Sequence, residues 1–433
     1  MALPETIEII PLKGPVTASI TVPGSKSITN RALILAALAS GTTRLAGALW
    51  SEDTQVMVDC LQRLGFAVDV TDDPDETCNR FITVTGQGGR IPPGGTLENP
   101  LELFVGNAGT AARFLTALVC LGSGCYRLAG VPRMHERPQA ALLQSLRELG
   151  YRIDAPDDHL PAVVQGAGPR TAECTVSIEQ SSQFASALLL AANVGNWTVH
   201  IAGNSGDNAA YVDMTRSLIE NFPAAGGSFQ IEPDASGGSY FHAAQWIQES
   251  TWSGGKDRIE VAHWPTSGWQ VDAEFPRRLP LGGTELANLS REHDLGDSIM
   301  TAIVLAPLAT RGTAYRDLGR LRVQECERVE ALRTELTRCG AEVCESGDTL
   351  TIQPAKSLHG AEVETYHDHR MAMCFAVLGL KTSGLRIKNP ACVKKTFPNF
   401  FQKLAASPPH GLGVEIRHGT TGAPLSLAEL FAD

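Results

Sequence analysis

The sequence predicts an α/β protein of two or three domains, assembled from repeats of one unit of helices and strands. The chain has 433 residues, of which 43% are hydrophobic and 19% charged, a composition typical of globular domains that bury their own cores. Short strand-like runs alternate with helical patterns along the chain, which is typical of an α/β fold. One amphipathic helix pattern recurs at wide intervals, which indicates internal repeats.

The recurring helix is recognised by an apolar stripe that ends at a glycine. In three places apolar residues stand one, four and eight positions before a glycine, a spacing that puts them on one helical face. A glycine in that position favours the left-handed conformation that ends a helix. The three copies are Leu64, Leu61 and Met57 before Gly65, Leu149, Leu146 and Leu142 before Gly150, and Cys339, Leu336 and Leu332 before Gly340. Two weaker copies are Ile219 and Phe222 before Pro223, and Phe397, Phe401 and Leu404 before Ala405.

Each stripe follows a strand-like run and a second, more apolar helix. The strand-like runs are GTTRLAGAL, GSGCYRLAG, GNWTVHIAG, GTAYRDLG and SGLRIKNP. The apolar helices are SKSITNRALILAALAS, GNAGTAARFLTALVCLG, SSQFASALLLAANVG, DASGGSYFHAAQWI, DLGDSIMTAIVLAPLA and YHDHRMAMCFAVLGL. The pattern therefore predicts six units. The fourth is the weakest, because WQVDAEFPRRLPLGG has prolines where its stripe helix should be.

The charge balance excludes general binding of nucleic acids or anionic membranes. Lys and Arg number 36 against 47 Asp and Glu, giving a formal charge of −11, and the basic residues are scattered. Any anionic ligand must therefore be captured locally. All six apolar helices open on Ser, Thr, Asn, Asp or His with Gly, the residues of helix N-caps. Helix N-termini with free N–H groups attract anions, so several of them converging on a cleft would form an anion site.

Charged and hydrogen-bonding residues stand at these openings and in the segments between them. They are Lys26, Ser27 and Arg31; Gly106, Asn107, Gly109 and Thr110; Arg133, His135, Glu136 and Arg137; Glu325 and Arg328; His367, Asp368, His369 and Arg370; and Lys394 and Lys395. Each group alone has a structural explanation, such as a solvated cap, a rigid loop with surface salt bridges, or a pair on a helix surface. The GxxxxGK[ST] spacing of a nucleotide-binding P-loop is absent, and the histidines lack a partner motif for zinc. A charge or cap at every opening favours anion capture.

Taken in order, these motifs resemble the 5-enolpyruvylshikimate-3-phosphate synthase family. The matching segments are PGSKSITNRA, GNAGTAARF, PRMHERP, SSQF, DASGGSYF, GDSIMT, QECER, DHRMAMCF and KKTFPNFF, which together extend over nearly the whole chain. The resemblance implies the enolpyruvyl transferase fold, with three βαβαββ units in each of two domains and the active site in the interdomain cleft. The implied domains are 22–229, holding units one to three, and 1–21 plus 230–433, holding units four to six.

The resemblance also implies a reaction of the shikimate pathway, which leads to chorismate and the aromatic amino acids. The enolpyruvyl group of phosphoenolpyruvate passes to the 5-hydroxyl of shikimate 3-phosphate through a tetrahedral intermediate, with release of phosphate and with domain closure. The implied base is Asp297, and the implied acid is Glu325 or Lys26. The implied phosphoenolpyruvate ligands are Lys26, Gly109, Arg137, Gln183, Arg328, Arg370 and Lys395. Those for shikimate 3-phosphate are Ser27, Arg31, Ser181, Ser182, Gln183, Asn208, Tyr211, Asp297, Arg320 and Gln324. No metal or cofactor is implied.

Three positions depart from the family pattern on the acceptor side. The family usually has Lys at Gln324, Ser at Asn208 and Asn at Arg320. Gln324 keeps hydrogen bonding but loses a charge, which Arg320 could restore. Two alternatives therefore stay open: an enzyme of specialised metabolism that uses a different hydroxylated acid, and a non-catalytic anion-binding homologue. The related UDP-N-acetylglucosamine enolpyruvyl transferases are disfavoured, because Ser27 follows Lys26 and the loop at Arg137 has no cysteine.

The remaining signals concern location and assembly. The ten cysteines show no CxxC pairs, which is typical of reduced thiols in a cytosolic protein. The N-terminal segment has acids and prolines where a signal peptide would need an apolar stretch, and the longest apolar runs are too short to span a bilayer. We therefore expect a cytoplasmic, monomeric protein whose partners are its small-molecule substrates, with no nucleic acid or membrane.

Overall fold

The computed structural model describes residues 3–203, 206–252, 256–280 and 284–432. They divide into two compact units. The continuous unit is Gly24–Glu232, and the split unit joins Met1–Pro23 to Pro233–Asp433. The chain therefore begins in the split unit, builds the continuous unit and then returns to complete the split one.

The N-terminal segment gives the split unit two short strands before the continuous unit begins. They are β1 (Thr6–Ile9) and β2 (Ala18–Ile20). The strands of the continuous unit are β3 (Thr42–Leu49), β4 (Ala67–Asp72), β5 (Asn79–Thr85), β6 (Leu101–Phe104), β7 (Ser123–Ala129), β8 (Arg152–Asp154), β9 (Ala162–Ala167), β10 (Ala172–Ser177), β11 (Trp197–Ala202) and β12 (Gly227–Gln230). Its helices are α1 (Lys26–Leu38), α2 (Glu52–Arg63), α3 (Gly109–Cys120), α4 (Pro132–Glu136), α5 (Ala140–Glu148), α6 (Ser182–Gly195) and α7 (Gly206–Asn221).

The rest of the split unit follows the same alternation of helices and strands. Its helices are α8 (Ala235–Thr251), α9 (Phe275–Arg278), α10 (Ile299–Leu305), α11 (Arg328–Arg338), α12 (His369–Gly379) and α13 (Phe400–Ala405). Its strands are β13 (Ile259–Val261), β14 (Leu289–Ser290), β15 (Thr313–Arg316), β16 (Glu342–Ser346), β17 (Thr349–Gln353), β18 (Glu362–Val363), β19 (Leu385–Lys388) and β20 (Ile416–His418). Short 3₁₀ segments occur at Pro156–Asp158, Val271–Glu274, Ala306–Leu308, Leu318–Val323, Pro390–Lys395 and Leu427–Leu430.

The described strands form three small sheets in each unit. Four sheets share one pattern, in which the first pair of strands is parallel and the next two pairs are antiparallel. Their orders are β12-β3-β5-β4 and β6-β7-β9-β8 in the continuous unit, and β14-β15-β17-β16 and β18-β19-β1-β20 in the split unit. Each unit also has one parallel pair, β10-β11 or β13-β2. The α/β class is confirmed, and three sheets per unit agree with the predicted repeat.

Two strands that are distant in sequence complete these sheets. β12 follows α7 near the end of the continuous unit and pairs in parallel with β3, with Phe229 opposite Leu45. β1 lies between β19 and β20 in the last sheet, antiparallel to both, with Ile7 opposite Ile387. Ile7 and Ile387 are fully buried, so the N-terminal strand is part of the split unit's core.

The predicted stripe helices with terminal glycines are α2, α5 and α11, and this prediction is confirmed. Every residue of the three stripes is at most 2% exposed. The glycines that follow, Gly65, Gly150 and Gly340, have φ of +94°, +90° and +89°, values at which a side chain would be strained. The fourth unit has the 3₁₀ turn Val271–Glu274 and the four-residue α9 instead of a full second helix, in agreement with its prolines.

The apolar helices form as predicted, but their caps divide into two classes. The side chains of Ser181, Asp234 and Asp368 accept hydrogen bonds from the first-turn amides of α6, α8 and α12. At α1, α3 and α10 the N-cap residue makes no side-chain cap hydrogen bond. The expectation of a rigid loop at PRMHERP was wrong, because its first five residues form α4, which begins at a proline.

Within the part of the chain that the structure describes, no helix combines the length and the hydropathy needed to cross a membrane.

The segment after α13 closes the last sheet. β20 pairs with β1. The backbone N–H of Ala432 donates to the Pro398 carbonyl at 3.0 Å, and Gln402 Nε2 donates to the Leu427 carbonyl at 2.7 Å. Leu430 is fully buried, so the end of this segment packs into the core of the split unit.

Replacing Leu430 with Ala should therefore destabilise the split unit. We expect Leu430→Ala to lower the free energy of unfolding by about 2–5 kcal/mol, because it removes buried methyl groups and leaves a cavity. Leu427→Ala is the matched control in the same 3₁₀ turn, since Leu427 is 47% exposed and its loss should cost under about 0.5 kcal/mol. Urea denaturation measures both, and equal losses would show that the segment does not contribute to the core.

Candidate functional site

In the split unit, one carboxylate lies among three arginines. Asp297 precedes α10, and its Oδ1 lies 3.0 Å from Arg291 Nη2 and 3.7 Å from Arg328 Nη1. Its Oδ2 lies 3.1 Å from Arg370 Nη2. Gln324 Nε2 also donates to Oδ1, at 3.4 Å. The structure therefore brings together four predicted site residues, Asp297, Gln324, Arg328 and Arg370, and adds Arg291.

The surrounding charges decide the protonation state of Asp297. Burial alone would raise its pKa, but the charges of Arg370, Arg328 and Arg291 outweigh burial and the opposing charge of Glu325. They hold the pKa of the Asp297 carboxyl well below its usual range. In this structure, Asp297 is therefore ionised at neutral pH.

Arg328 is the most heavily paired cation of the site. It is 1% exposed, and its Nε and Nη2 lie 2.6 and 3.2 Å from the two carboxylate oxygens of Asp368. Nη2 also lies 2.9 Å from Glu325 Oε2, and Nη1 donates to Gln324. Burial acts to lower the pKa of Arg328, but the carboxylates of Asp368, Glu325 and Asp297 raise it above the ordinary value. Arg328 therefore keeps its charge although it is buried.

Glu325 is held between two cations. Its Oε1 lies 3.2 Å from Lys395 Nζ, and its Oε2 contacts Arg328. Both contacts place a positive charge against the Glu325 carboxyl group. Lys395 belongs to the 3₁₀ turn Pro390–Lys395, so the KKTF motif supplies its second lysine to this cluster.

These residues form the Asp297 cluster, with four cations and three carboxylates. Its members are Asp297, Glu325, Asp368, Arg291, Arg328, Arg370 and Lys395. The carboxylates of Asp234 and Asp272 also act on Arg370 and raise its pKa, so the charges of this site compensate one another. Burial raises the interaction energy between the groups, since screening by water is reduced.

Sequence reasoning missed two residues that shape this cluster. Arg291 stands in a polar loop that no motif includes. Asp272 accepts hydrogen bonds from the backbone amides of Gly296 and Ser298, at 2.8 and 3.2 Å, and so fixes the backbone on both sides of Asp297. In the sequence, Asp272 is a single acidic residue in WQVDAEFPRRLPLGG, and nothing near it indicates its partners.

Asp368 belongs to the motif DHRMAMCF, and its side chain has a structural role. It caps α12 through the amide of Arg370 at 2.8 Å and pairs with Arg328 in the interior. Among the described residues, no group of three His, Cys, Asp or Glu side chains could hold a metal ion.

In the continuous unit, Lys26 begins α1 and is paired with an acid that the sequence did not single out. Its Nζ lies 3.0 Å from Asp53 Oδ2, and Asp53 is buried in the first turn of α2. One turn later on α1, Asn30 Nδ2 donates to the Lys26 carbonyl and to Thr110 Oγ1, at 3.3 and 3.2 Å. These contacts hold the start of α1 against α3, which begins at Gly109.

The side chain of Arg31 is buried inside the continuous unit. It is 1% exposed, and its guanidinium donates to Thr215 Oγ1 at 2.8 Å, Ser186 Oγ at 3.0 Å and the Ser27 carbonyl at 2.9 Å. Burial lowers the pKa of Arg31 to about 10, an effect that Tyr211 partly offsets, so the guanidinium stays charged at neutral pH. These partners are neutral oxygens, which leaves its positive charge uncompensated by them.

Gly109 lies against two guanidinium groups at the start of α3. An added Cβ would come within 2.7 Å of Arg113 Nη1 and 2.8 Å of Arg137 Nη2. Arg137 Nη1 donates to the Asn107 carbonyl at 3.1 Å, and no carboxylate among the described residues forms an ion pair with it. The free N-terminus of α3 and the Arg137 fork therefore lie side by side, an arrangement suited to an anion.

The other predicted acceptor residues are divided between the two units. Ser181 caps α6 through the Gln183 amide at 3.3 Å, Ser182 begins that helix, and both serines are buried. Ser27, Gln183, Tyr211, Arg320 and Gln324 are partly buried. Asn208 lies in α7, but its side chain is outside the described part of the chain. These assignments stay predictions.

The sequence matches the family model for EPSP synthase (3-phosphoshikimate 1-carboxyvinyltransferase) over residues 11–225 and 288–404.

The chain belongs to the EPSP synthase family.

Relatives and solved structures agree with this family. The chain is 37% identical over 438 residues to a 3-phosphoshikimate 1-carboxyvinyltransferase from Trichormus variabilis, covering 92% of this chain and 98% of the relative. It is 36% identical over 436 residues to one from Opitutus terrae, covering 94% and 98%. EPSP synthase from Acinetobacter baumannii has the same fold, with a TM-score of 0.68 at 20% identity over 95% of this chain and 99% of that one. The enolpyruvyl transferase NikO from Streptomyces tendae also shares it, with a TM-score of 0.66 at 16% identity over 96% and 99%. The resemblance inferred from the motifs is therefore confirmed.

Removing the most heavily paired cation should destabilise this EPSP synthase family member. Arg328→Met leaves Asp368 buried without its ion pair, so we expect a loss of about 3–5 kcal/mol in the free energy of unfolding. Arg333→Met is the matched control on the same helix, because Arg333 is 40% exposed and pairs with Glu345, a surface contact worth about 0–1 kcal/mol. Both are measured by denaturant unfolding at neutral pH. Similar losses for the two variants would contradict the account of the cluster as a buried network.

Proposed function

We propose that the protein transfers the enolpyruvyl group of phosphoenolpyruvate to the 5-hydroxyl of shikimate 3-phosphate and releases phosphate. Membership of the EPSP synthase family supports the reaction. The observation that supports the chemistry is the position of Asp297, a carboxylate held by Arg291, Arg328 and Arg370.

The reaction explains why so many cations are needed. Donor and acceptor each carry a phosphate and a carboxylate, which repel one another until protein charges compensate them. Arginine forks and helix N-termini match the geometry of both groups. The proposed donor ligands are Lys26, Gly109, Arg137, Gln183, Arg328, Arg370 and Lys395. The proposed acceptor ligands are Ser27, Arg31, Ser181, Ser182, Gln183, Asn208, Tyr211, Asp297, Arg320 and Gln324.

The bonding changes assign a base and an acid. Asp297 takes the proton of the 5-hydroxyl as that oxygen forms a bond to C2 of phosphoenolpyruvate. The methylene carbon of the donor gains a proton and becomes a methyl group, which gives a tetrahedral intermediate. The intermediate then loses phosphate and one methyl proton, which restores the enol ether. Neither step needs a metal or a redox cofactor.

The low pKa of Asp297 makes it a weak base as long as all three arginines face it. Binding of the donor changes this balance. The donor's phosphate and carboxylate would pair with Arg328 and Arg370 and so weaken the hold of these two cations on Asp297. The pKa of Asp297 would then rise toward the range in which a carboxylate accepts a proton from the acceptor.

The contacts of Lys26 and Glu325 bear on which of them supplies the proton. Glu325 lies between Arg328 and Lys395, two of the proposed donor-binding cations. Lys26 Nζ lies 3.0 Å from Asp53 Oδ2, and an ammonium group has a proton to donate. We therefore favour Lys26 as the acid and assign Glu325 to the charge balance of the donor-binding cations.

Replacing the base tests the proposed chemistry directly. Asp297→Asn keeps the size of the side chain and should lower kcat about 100- to 10,000-fold, the usual contribution of a general base. Binding of shikimate 3-phosphate, followed by calorimetry, should weaken far less than kcat falls. Asp348→Asn, an exposed carboxylate of the same unit, is the control and should leave kcat unchanged. Turnover of Asp297→Asn near the normal rate would rule out Asp297 as the base.

The identity of the acceptor is tested with the unaltered protein. Phosphate release and enolpyruvyl product are followed with phosphoenolpyruvate and shikimate 3-phosphate. Gln324 and Arg320 stand where the family usually has Lys and Asn, so other hydroxylated ring acids are tried in parallel. Release with another acid alone would assign the protein to specialised metabolism. Binding without release for every acceptor would indicate a non-catalytic anion-binding protein.

Replacing Gly109 should weaken donor binding selectively. In Gly109→Ala the new Cβ would approach Arg137 Nη2 to 2.8 Å, so the Arg137 fork must move away from the start of α3. Loss of one charge-assisted contact predicts a KM for phosphoenolpyruvate raised about 10- to 100-fold, with a smaller change in the KM for the acceptor. Gly14→Ala is the control, because its added Cβ would meet nothing within 4 Å. An unchanged KM for phosphoenolpyruvate would show that Arg137 does not bind the donor.

Cytoplasmic localisation and a monomeric state remain predictions from the sequence. The reaction uses two small molecules, so the proposal requires no further partner.

A further inference from the structure

Arg291 is a buried cation that no motif and no proposed role accounts for. It follows β14, and its backbone N–H donates to the Arg316 carbonyl at 3.0 Å, which extends the pairing of β14 with β15. The residue is 1% exposed, and its Nη2 lies 3.0 Å from Asp297 Oδ1. A buried arginine needs a compensating partner, and Asp297 supplies one.

The contacts of Asp297 divide between its two oxygens. Oδ1 is held by Arg291 Nη2 at 3.0 Å and Gln324 Nε2 at 3.4 Å, with Arg328 Nη1 at 3.7 Å. Oδ2 is held by Arg370 Nη2 at 3.1 Å. The two oxygens are therefore not equivalent in this site.

The three arginines differ in what else they bind. Arg328 shares its charge with Asp368 and Glu325. Arg328 and Arg370 are also among the proposed ligands of the donor. Arg291 has no proposed donor contact, so it would stay with Asp297 when the other two turn to the donor's anions.

We propose that Arg291 is a positioning residue that fixes Oδ1 of Asp297, so that Oδ2 is the atom that takes the proton from the acceptor hydroxyl. This rests on the proposed function, in which Asp297 is the base and Arg370 moves its charge toward the donor. The hydroxyl O–H bond breaks, its proton goes to Oδ2, and its electron pair forms the new bond to C2 of the donor. Arg291 acts through Asp297 and touches no reacting atom.

The backbone contacts of the same segment complete this arrangement. Asp272 holds the amides of Gly296 and Ser298, on either side of Asp297. Because the backbone is fixed by Asp272, the direction of the carboxylate depends on what holds its oxygens. Arg291 supplies the hydrogen bond to Oδ1 that does not compete with the donor.

Gln324 offers a way to separate this role from a structural one. Its Nε2 already reaches Oδ1, so a lysine at this position can place an ammonium against the same oxygen. If Arg291 acts by holding Oδ1 with a positive charge, Gln324→Lys should restore part of the function that Arg291→Met removes. A packing defect left by Arg291 would not be repaired from position 324.

The test compares Arg291→Met with Arg291→Met/Gln324→Lys. For Arg291→Met we expect kcat to fall about 10- to 100-fold with the KM for phosphoenolpyruvate changed less than threefold, because the donor cations remain. The double variant should regain about tenfold in kcat. Arg278→Met is the control, since Arg278 pairs with Asp294 in the same segment at 3.1 Å, and it should leave kcat unchanged.

The pH profile supplies a second readout. The groups that face Asp297 are Arg291, Arg328, Arg370, Glu325 and Gln324. Removing one cation raises the pKa of Asp297, so more of it is protonated and inactive at a given acid pH. The acid limb of kcat/KM should therefore move to higher pH in Arg291→Met. It should stay in place in Arg291→Lys, which keeps the positive charge. Arg291→Lys also provides a second test of the proposal if Arg291→Met does not fold.

Three results would decide against the proposal. They are an unchanged kcat in Arg291→Met, a loss of kcat that Gln324→Lys does not restore in a folded double variant, and an acid limb that moves in Arg291→Lys as far as in Arg291→Met. If the unaltered protein transfers no enolpyruvyl group to shikimate 3-phosphate or another acid, the proposed function itself fails. Thermal unfolding of each variant separates misfolding from these outcomes.

Discussion

The split unit depends on one constraint, that charges buried in its interior must satisfy one another. Arg328 and Asp368 are both buried, and each would cost several kcal/mol if it were left unpaired. Because Arg328 begins α11 and Asp368 caps α12, their ion pair fixes the starts of two helices. Arg370 is then placed by the same cap, since Asp368 accepts its backbone N–H. The ion pair of Arg328 with Asp368 therefore positions Arg370 and the starts of α11 and α12.

The same constraint applies to the proposed anion-binding residues of this acidic protein. Each carboxylate of the Asp297 cluster is engaged with a cation. In the continuous unit, Arg31 is surrounded by neutral hydroxyl and carbonyl oxygens, which solvate its charge without cancelling it. A net charge of −11 thus describes the surface of the whole chain, while the local potential at these helix starts is set by few residues.

Features that depend on a short segment of sequence were predicted, and those that depend on tertiary contacts were not. The stripes before Gly65, Gly150 and Gly340 were predictable, because periodicity and a left-handed glycine are properties of a short segment. The family motifs named Asp297 and Arg328, since each stands in a matching segment. Arg291 and Asp272 were not predictable, although they hold Asp297. Arg291 looks like any charged residue of a polar loop, and the partners of Asp272 lie more than twenty residues away in sequence. Capping was predicted at every apolar helix but depends on backbone geometry, so it fails at α3, whose N-cap is Ala108.

In the proposed function, the position of Asp297 also links donor binding to proton transfer. Without the donor, three arginines stabilise the carboxylate, so a proton on Asp297 is strongly disfavoured. If the donor's anions weaken that stabilisation, thermodynamic linkage requires the converse: a proton on Asp297 strengthens donor binding by the same factor. The free energy that makes Asp297 a competent base is therefore drawn from the affinity for the donor. Such coupling would keep the base inactive until the electrophile is present. Arg291, which has no proposed donor contact, would hold the carboxylate in place while the other two arginines turn to the donor.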